Sequence, residues 1–218
     1  MTNFALLQTN IAFCDPEANF KRVRELFAQA MAKDPRPDVV VLPEDWSAGF
    51  SDEMFHHMED FVEPENGPSV TVLRELARQY QVWVVGGSIP ELDGDRVYNT
   101  SYVFAPDGRC AARHRKMHLF DIDVAGGQRF RESDTLTAGS DVTVFDTPWG
   151  KMGLCICFDL RFQELARLMT LEGAQVLLVP AAFNMTTGPA HWELLFRQRA
   201  VDGQLFTVGV SPARDETA

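Results

Sequence analysis

An α/β fold is predicted by three features of this 218-residue chain. Short, wholly apolar runs such as Asp38 to Leu42 (DVVVL) and Gln175 to Val179 (QVLLV) alternate with segments of helical periodicity. Apolar runs without polar alternation belong to strands covered on both faces, so helices are expected on the outer faces of the sheets. The two runs also echo each other, as DVVVLPE early and QVLLVPA late, which predicts two similar halves. No linker or low-complexity tract intervenes, and residues 1–218 are read as a single domain.

Taken in order, Phe4 to Leu7 is expected as a first buried strand. Phe20, Val23, Phe27, Ala30 and Met31 mark one face of a helix that ends before Asp34-Pro35. The strand Asp38 to Leu42 runs straight into Pro43-Glu44. A second helix follows Gly67-Pro68, with Val72, Leu73, Leu76 and Tyr80 on its inner face. Val82 to Ile89 (VWVVGGSI) reads as one further buried strand. Val97 to Phe104 and Cys110 to Arg113 flank an Asp107-Gly108 turn, a hairpin signal. Lys116 to Ser140 is expected as a polar loop. Val142 to Phe145 and Met152 to Ile156 form a second hairpin-like pair around Trp149-Gly150. Phe162, Leu165, Ala166 and Met169 predict a helix stopped at Gly173, and Pro189 opens a last helix that ends near Gly203. Leu205 to Val210 closes the series as a strand.

Composition narrows the function. A net charge of −11 with no basic stripe argues against a nucleic-acid partner. No apolar run approaches the ~20 residues of a membrane span, and MTNFALLQTN lacks the pattern of a signal peptide. Four unevenly placed cysteines fit reduced thiols, so a cytoplasmic location is expected. Cys155-x-Cys157 has neither the spacing nor the second ligand pair of a zinc site. The histidines show no ligand spacing either, and no metal is expected.

Cys157 lies where a buried strand is predicted to break into a helix. Free backbone N–H groups at such a point favour a thiolate, which suits a nucleophile; the competing reading is a small buried apolar residue. Glu44 follows a strand covered on both faces, where a carboxylate is costly unless paired and desolvation strengthens it as a base. Lys116 sits in the basic patch HRKMHLF of an acidic chain, and Glu132 in RFRESDTL; alone, each would read as a solvated surface residue.

Together these positions resemble a known family. Glu44 in LPE, Lys116 in HRKMHLFD and Cys157 in GLCICFDLRF are similar to the Glu-Lys-Cys triad of the nitrilase (carbon–nitrogen hydrolase) superfamily. FNMTTGPAHWELLFRQRAVD and the ending SPARD resemble its omega-amidase branch, which cleaves the terminal amide of 2-oxoglutaramate and 2-oxosuccinamate. The resemblance implies an α-β-β-α sandwich with pseudo-twofold halves and no cofactor. It implies a small-molecule amide substrate and a homodimer or higher homo-oligomer, packed through the helix after the nucleophile. Catalysis would pass through a thioester on Cys157, with Glu44 as base, Lys116 and the Phe158 N–H holding the oxyanion, and Glu132 as a second glutamate beside them.

Phe183, Met185 and Thr186 are candidate substrate contacts, while Arg161 and Arg197 are expected to form structural salt bridges. Two departures stand out: Asp45-Trp46 follows LPE where many relatives carry Cys or Met and a small polar residue, and the chain stops where relatives continue into further strands. Alternatives within the family are an amidase for deaminated glutathione or another small amide or carbamoyl hydrolase. Outside that chemistry, the chain could be a non-catalytic scaffold, or a thiol-redox protein with a strained Cys155–Cys157 bridge.

Overall fold

Side chains alternate along the strands between two apolar layers, and that alternation explains how the sheets and helices stack. The computed structural model describes residues 1–123 and 129–213. The first sheet has six strands: β1 (Phe4–Leu6), β2 (Val39–Val41), β3 (Trp83–Val85), β4 (Ile89–Asp93), β5 (Arg96–Phe104) and β6 (Cys110–Arg115). Its order is β1-β2-β3-β5-β4, with β6 also paired to β5. β7 (Asp121–Asp123) and β8 (Arg129–Arg131) form a separate small ribbon. The second sheet runs β12-β11-β10-β9, from β9 (Val144–Thr147), β10 (Gly150–Leu154), β11 (Val176–Pro180) and β12 (Phe206–Val210).

Val40, Leu42 and Val84 point outward onto Phe20, Val23 and Phe27 of α1 (Pro16–Met31). A short α2 (Asp52–His56) precedes α3 (Pro68–Tyr80), whose Leu73 and Leu76 join the same layer. The intervening residues Val39, Val41, Trp83 and Val85 face the other way and meet Phe145, Met152, Leu154 and Leu178 of the second sheet. Behind that sheet, Leu177 and Val179 pack on Leu165 and Met169 of α4 (Gln163–Leu171) and on Leu195 of α5 (Gly188–Gly203). The result is the expected α-β-β-α sandwich. The echoed strands also meet: the N–H of Glu44, beyond β2, donates to the carbonyl of Ala181, beyond β11, at 3.4 Å.

Three expectations need correction. Val82 to Ile89 is two elements, because the chain leaves β3 after Val85 and Ile89 opens β4. The turn between them has Gly87 at φ +61°, where an added Cβ would lie 2.0 Å from the Pro43 carbonyl oxygen. Only glycine lets this turn pass beneath the end of β2. The polar loop from Lys116 to Ser140 contains β7, β8 and a 3₁₀ turn at Glu132–Asp134. β10 ends at Leu154 rather than Ile156, since the Ile156 N–H turns away to the Asp159 carboxylate at 3.0 Å.

Gly87→Ala combines a left-handed backbone with a backbone clash, so it should cost about 2–4 kcal/mol of stability. A urea unfolding midpoint equal to that of the wild type would contradict the tight turn.

Candidate active site

Each candidate side chain stands just beyond a strand end, which converts backbone order into side-chain position. Glu44 follows β2, and Lys116 follows β6, where its N–H still donates to the Asn99 carbonyl at 2.8 Å. Glu132 opens the 3₁₀ turn after β8; its N–H donates to the Phe120 carbonyl, and its Oε2 accepts the Phe120 N–H at 2.6 Å. Cys157 lies beyond β10 at φ +46°, a strained conformation for a side chain to hold.

The four groups converge. Glu44, Glu132 and Lys116 are at most 1% exposed, so their charges must be met inside the protein. Lys116 Nζ donates to Glu44 Oε1 at 2.8 Å and to Glu132 Oε1 at 2.9 Å. Asn99 Nδ2 donates to the same Glu44 oxygen at 3.0 Å. Glu44 Oε2 carries no hydrogen bond among the described residues, which leaves it free to take a proton. Burial works against the ammonium of Lys116, yet Glu132 and Glu44 hold its pKa well above the ordinary lysine value. Burial raises the Glu132 carboxyl, with Lys116 and the Phe120 N–H opposing the shift.

Cys157 corrects an expectation. Its thiol pKa is pushed well above the ordinary value, first by burial and then by the negative charge of Glu44, against a weaker pull from Lys116. The residue opens a five-residue 3₁₀ turn, Cys157–Arg161, and α4 begins only at Gln163, so no long helix dipole stabilises a thiolate there. The resting nucleophile is a neutral thiol. Cys155 and Cys157 are both free, and Cys155 packs beneath α4.

Asp159 escaped the sequence reading. Its carboxylate accepts the N–H groups of Ile156, Met117 and His118, and pairs with His114 Nε2 at 3.1 Å and His118 Nδ1 at 2.8 Å. Against the upward push of burial, His114 and His118 hold it well below the usual carboxylate range. One side chain thereby ties the turn bearing Cys157 to the segment bearing Lys116. The sequence signal was an acid two residues from the nucleophile, inside an otherwise apolar run.

Asp45, which the sequence marked only as a departure after LPE, proves to be a buried acid beside the site. It is 2% exposed, sits at φ +45°, and its Oδ2 has no hydrogen-bond partner among the described residues. Burial, then the charges of Glu44 and Glu132, raise its pKa well above the ordinary 3.8 despite Lys116. A carboxyl whose folded pKa is raised begins to cost stability as pH climbs past its unfolded value, and the cost grows up to the folded pKa. Asp45→Asn should therefore be more stable than the wild type at pH 7, with the gap closing toward pH 4 in paired thermal melts. A gap independent of pH would show that Asp45 is ionised in the folded protein.

A cavity of about 850 Å³ opens onto Lys116 and Cys157, walled by Phe158, Phe183 and Met185. Thr186 is not among the lining residues; Thr187 is. The Asn184 Oδ1 accepts the N–H groups of both threonines and the Thr187 hydroxyl, a turn that draws Thr187 in and leaves Thr186 exposed. Arg197 does form the expected ion pair, with Glu193 at 3.0 Å on the surface of α5. Arg161 departs from expectation: it lines the cavity, and no carboxylate among the described residues pairs with it.

The chain is similar to proteins already known. Residues 3–217 match the family model described as carbon-nitrogen hydrolase. Omega-amidase NIT2 of Danio rerio is 49% identical over 92% of this chain and 70% of its own length. The chloroplastic omega-amidase of Arabidopsis thaliana is 44% identical over 98% of this chain, which spans 59% of that relative. The crystal structure of Saccharomyces cerevisiae Nit3, a member of branch 10 of the nitrilase superfamily, superposes with a TM-score of 0.88 at 40% identity. It covers all of this chain, which spans 78% of the yeast protein. On the family match and these identities, the chain belongs to the carbon–nitrogen hydrolase family.

Proposed function

We propose that this chain is an omega-amidase-type hydrolase, which releases ammonia from the terminal amide of small 2-oxo dicarboxylate monoamides through a thioester on Cys157. The observation that carries the reading is the buried ammonium of Lys116, shared between Glu44 and Glu132 beside a thiol at the floor of a cavity. The names of the relatives support the substrate class. The single match over residues 3–217 supports one catalytic domain.

The chemistry follows from the charges. Glu44 Oε2 takes the proton of Cys157 as sulfur attacks the amide carbon, so negative charge passes from carboxylate to sulfur and on to the substrate oxygen. Lys116 can meet that oxyanion, and the Phe158 N–H is the second donor in our reading. Protonated Glu44 then hands its proton to the leaving ammonia, and again acts as base for the water that cleaves the thioester. Glu132 holds Lys116 in place through the second of its two hydrogen bonds.

Self-association through α4 is supported by Leu168 and Leu171, apolar side chains exposed on that helix. No helix among the described residues is long and apolar enough to cross a membrane. The four free cysteines are consistent with the cytoplasmic location we assign.

Cys157→Ala should abolish ammonia release from 2-oxoglutaramate with an unchanged circular dichroism spectrum. Lys116→Met should lower kcat at least 10²-fold, the effect typical of one lost oxyanion donor. Undiminished release by the Cys157 variant would refute the mechanism.

A further inference from the structure

We propose that Asn99 is a positioning residue for the base: its side-chain amide fixes the Glu44 carboxylate so that Oε2 alone is offered to the Cys157 thiol. The proposal rests on the amidase reading above and adds to it the group that decides which oxygen takes the proton.

Asn99 stands where packing alone would favour an apolar side chain. It lies within β5, opposite Pro90 of β4, and is 1% exposed. Thr100 and Tyr102 turn to one face of the strand, where both bond Glu91, while Val103 packs toward the second sheet. Alternation therefore puts Asn99 on the inner face with Val103. A buried amide is costly unless it is bonded, and a β-branched residue would suit the strand better.

What the amide gains there is Glu44. Asn99 Nδ2 donates to Glu44 Oε1 at 3.0 Å, and Lys116 Nζ donates to the same oxygen at 2.8 Å. Oε1 thus meets two donors and Oε2 none among the described residues. Asn99 Oδ1 also carries no hydrogen bond among the described residues, so the amide is held by its donor end. That end must face Glu44, because a carboxylate paired with an ammonium can only accept.

Two donors do what one cannot. An ammonium is a point charge with rotatable N–H groups, and the last torsion of glutamate is broad and nearly two-fold. With Lys116 alone, the two oxygens could exchange places. Asn99 adds a second fixed point and holds the plane. The oxygen that meets two donors becomes the weaker base, and the bare one keeps its basicity. The Asn99 carbonyl meanwhile accepts the Lys116 N–H at 2.8 Å. One residue sets the base through its side chain and the ammonium through its backbone.

The test follows alkylation of Cys157 by iodoacetamide across pH, read by mass spectrometry of the peptide that carries it. This reaction needs the thiol proton to reach Glu44 but needs no amide hydrolysis. Asn99→Leu removes the donor and leaves the backbone carbonyl in place; Asn99→Ala serves if that variant does not fold. The plateau rate should fall about 10-fold. The acid limb should move up by about one pH unit, because Glu44 without the donor keeps its proton to higher pH. For 2-oxoglutaramate, kcat should fall about 10- to 100-fold with KM within about threefold. Ser101→Ala alters the same face of β5 at a hydroxyl with no hydrogen bond among the described residues, and should leave rate and limb unchanged. In a Glu44→Gln background, Asn99→Leu should slow alkylation no further, since the two residues act as a unit. An unmoved acid limb, or a further loss in that background, would overturn the proposal and make Asn99 a packing residue. The expected alkylation behaviour without ammonia release from 2-oxoglutaramate by the wild type would uphold it and overturn the amidase reading instead.

Discussion

The contact on which the site depends is the pair of hydrogen bonds from Lys116 Nζ to Glu44 and Glu132, made out of reach of water. A buried charge of either sign is expensive, and deleting one partner typically costs 3–5 kcal/mol because the remaining charge is stranded. The three groups come from separate segments: the end of β2, the end of β6 and the turn after β8. None of those segments can shift without breaking an ion pair, so the triad holds the backbone that presents it. Electrostatic cost becomes geometric order, which is what a reaction needing fixed donors requires.

Asp159 extends that order across the sandwich. The ammonium belongs to the first sheet and the thiol to the second, and packing between Val41 or Val85 and Leu154 is non-directional. A carboxylate accepting from Ile156, Met117 and His118 is directional, and it joins the two catalytic segments by bonds of defined length. His118 is stacked on Phe162 at 3.7 Å between ring centroids, so the joint is walled on the side facing α4. Asp45, next to Glu44, and Cys157 both take left-handed backbone, local strain that the surrounding bonds sustain.

How much of this was legible in the sequence depended on where each signal was stored. Strands covered on both faces leave continuous apolar runs, so β2 and β11 and the residues at their ends could be read directly. β4 could not, because its Glu91 looks like a surface residue. The acid is buried only because Tyr102, Thr100 and Arg115 bond to it from β5 and β6. The ribbon β7–β8 is short, polar and exposed, and leaves no periodic trace. Thr186 and Thr187 are adjacent in sequence, and only the Asn184 turn decides which faces the cavity. Arg161 was misread for the same reason: pairing is a property of neighbours that the chain brings together late.

The neutral thiol then follows from the arrangement as a whole. The buried ion-pair cluster holds one ammonium, Lys116, against the carboxylates of Glu44 and Glu132, and a permanent thiolate would add a further negative charge without a matching cation. Burial penalises that state most heavily where the dielectric constant is low. Transfer of the proton from Cys157 to Glu44 avoids the penalty, because it moves charge within the cluster and leaves the total unchanged. The nucleophile is thus generated when a substrate is present to accept the electrons, with Lys116 already placed to follow the charge as it moves outward.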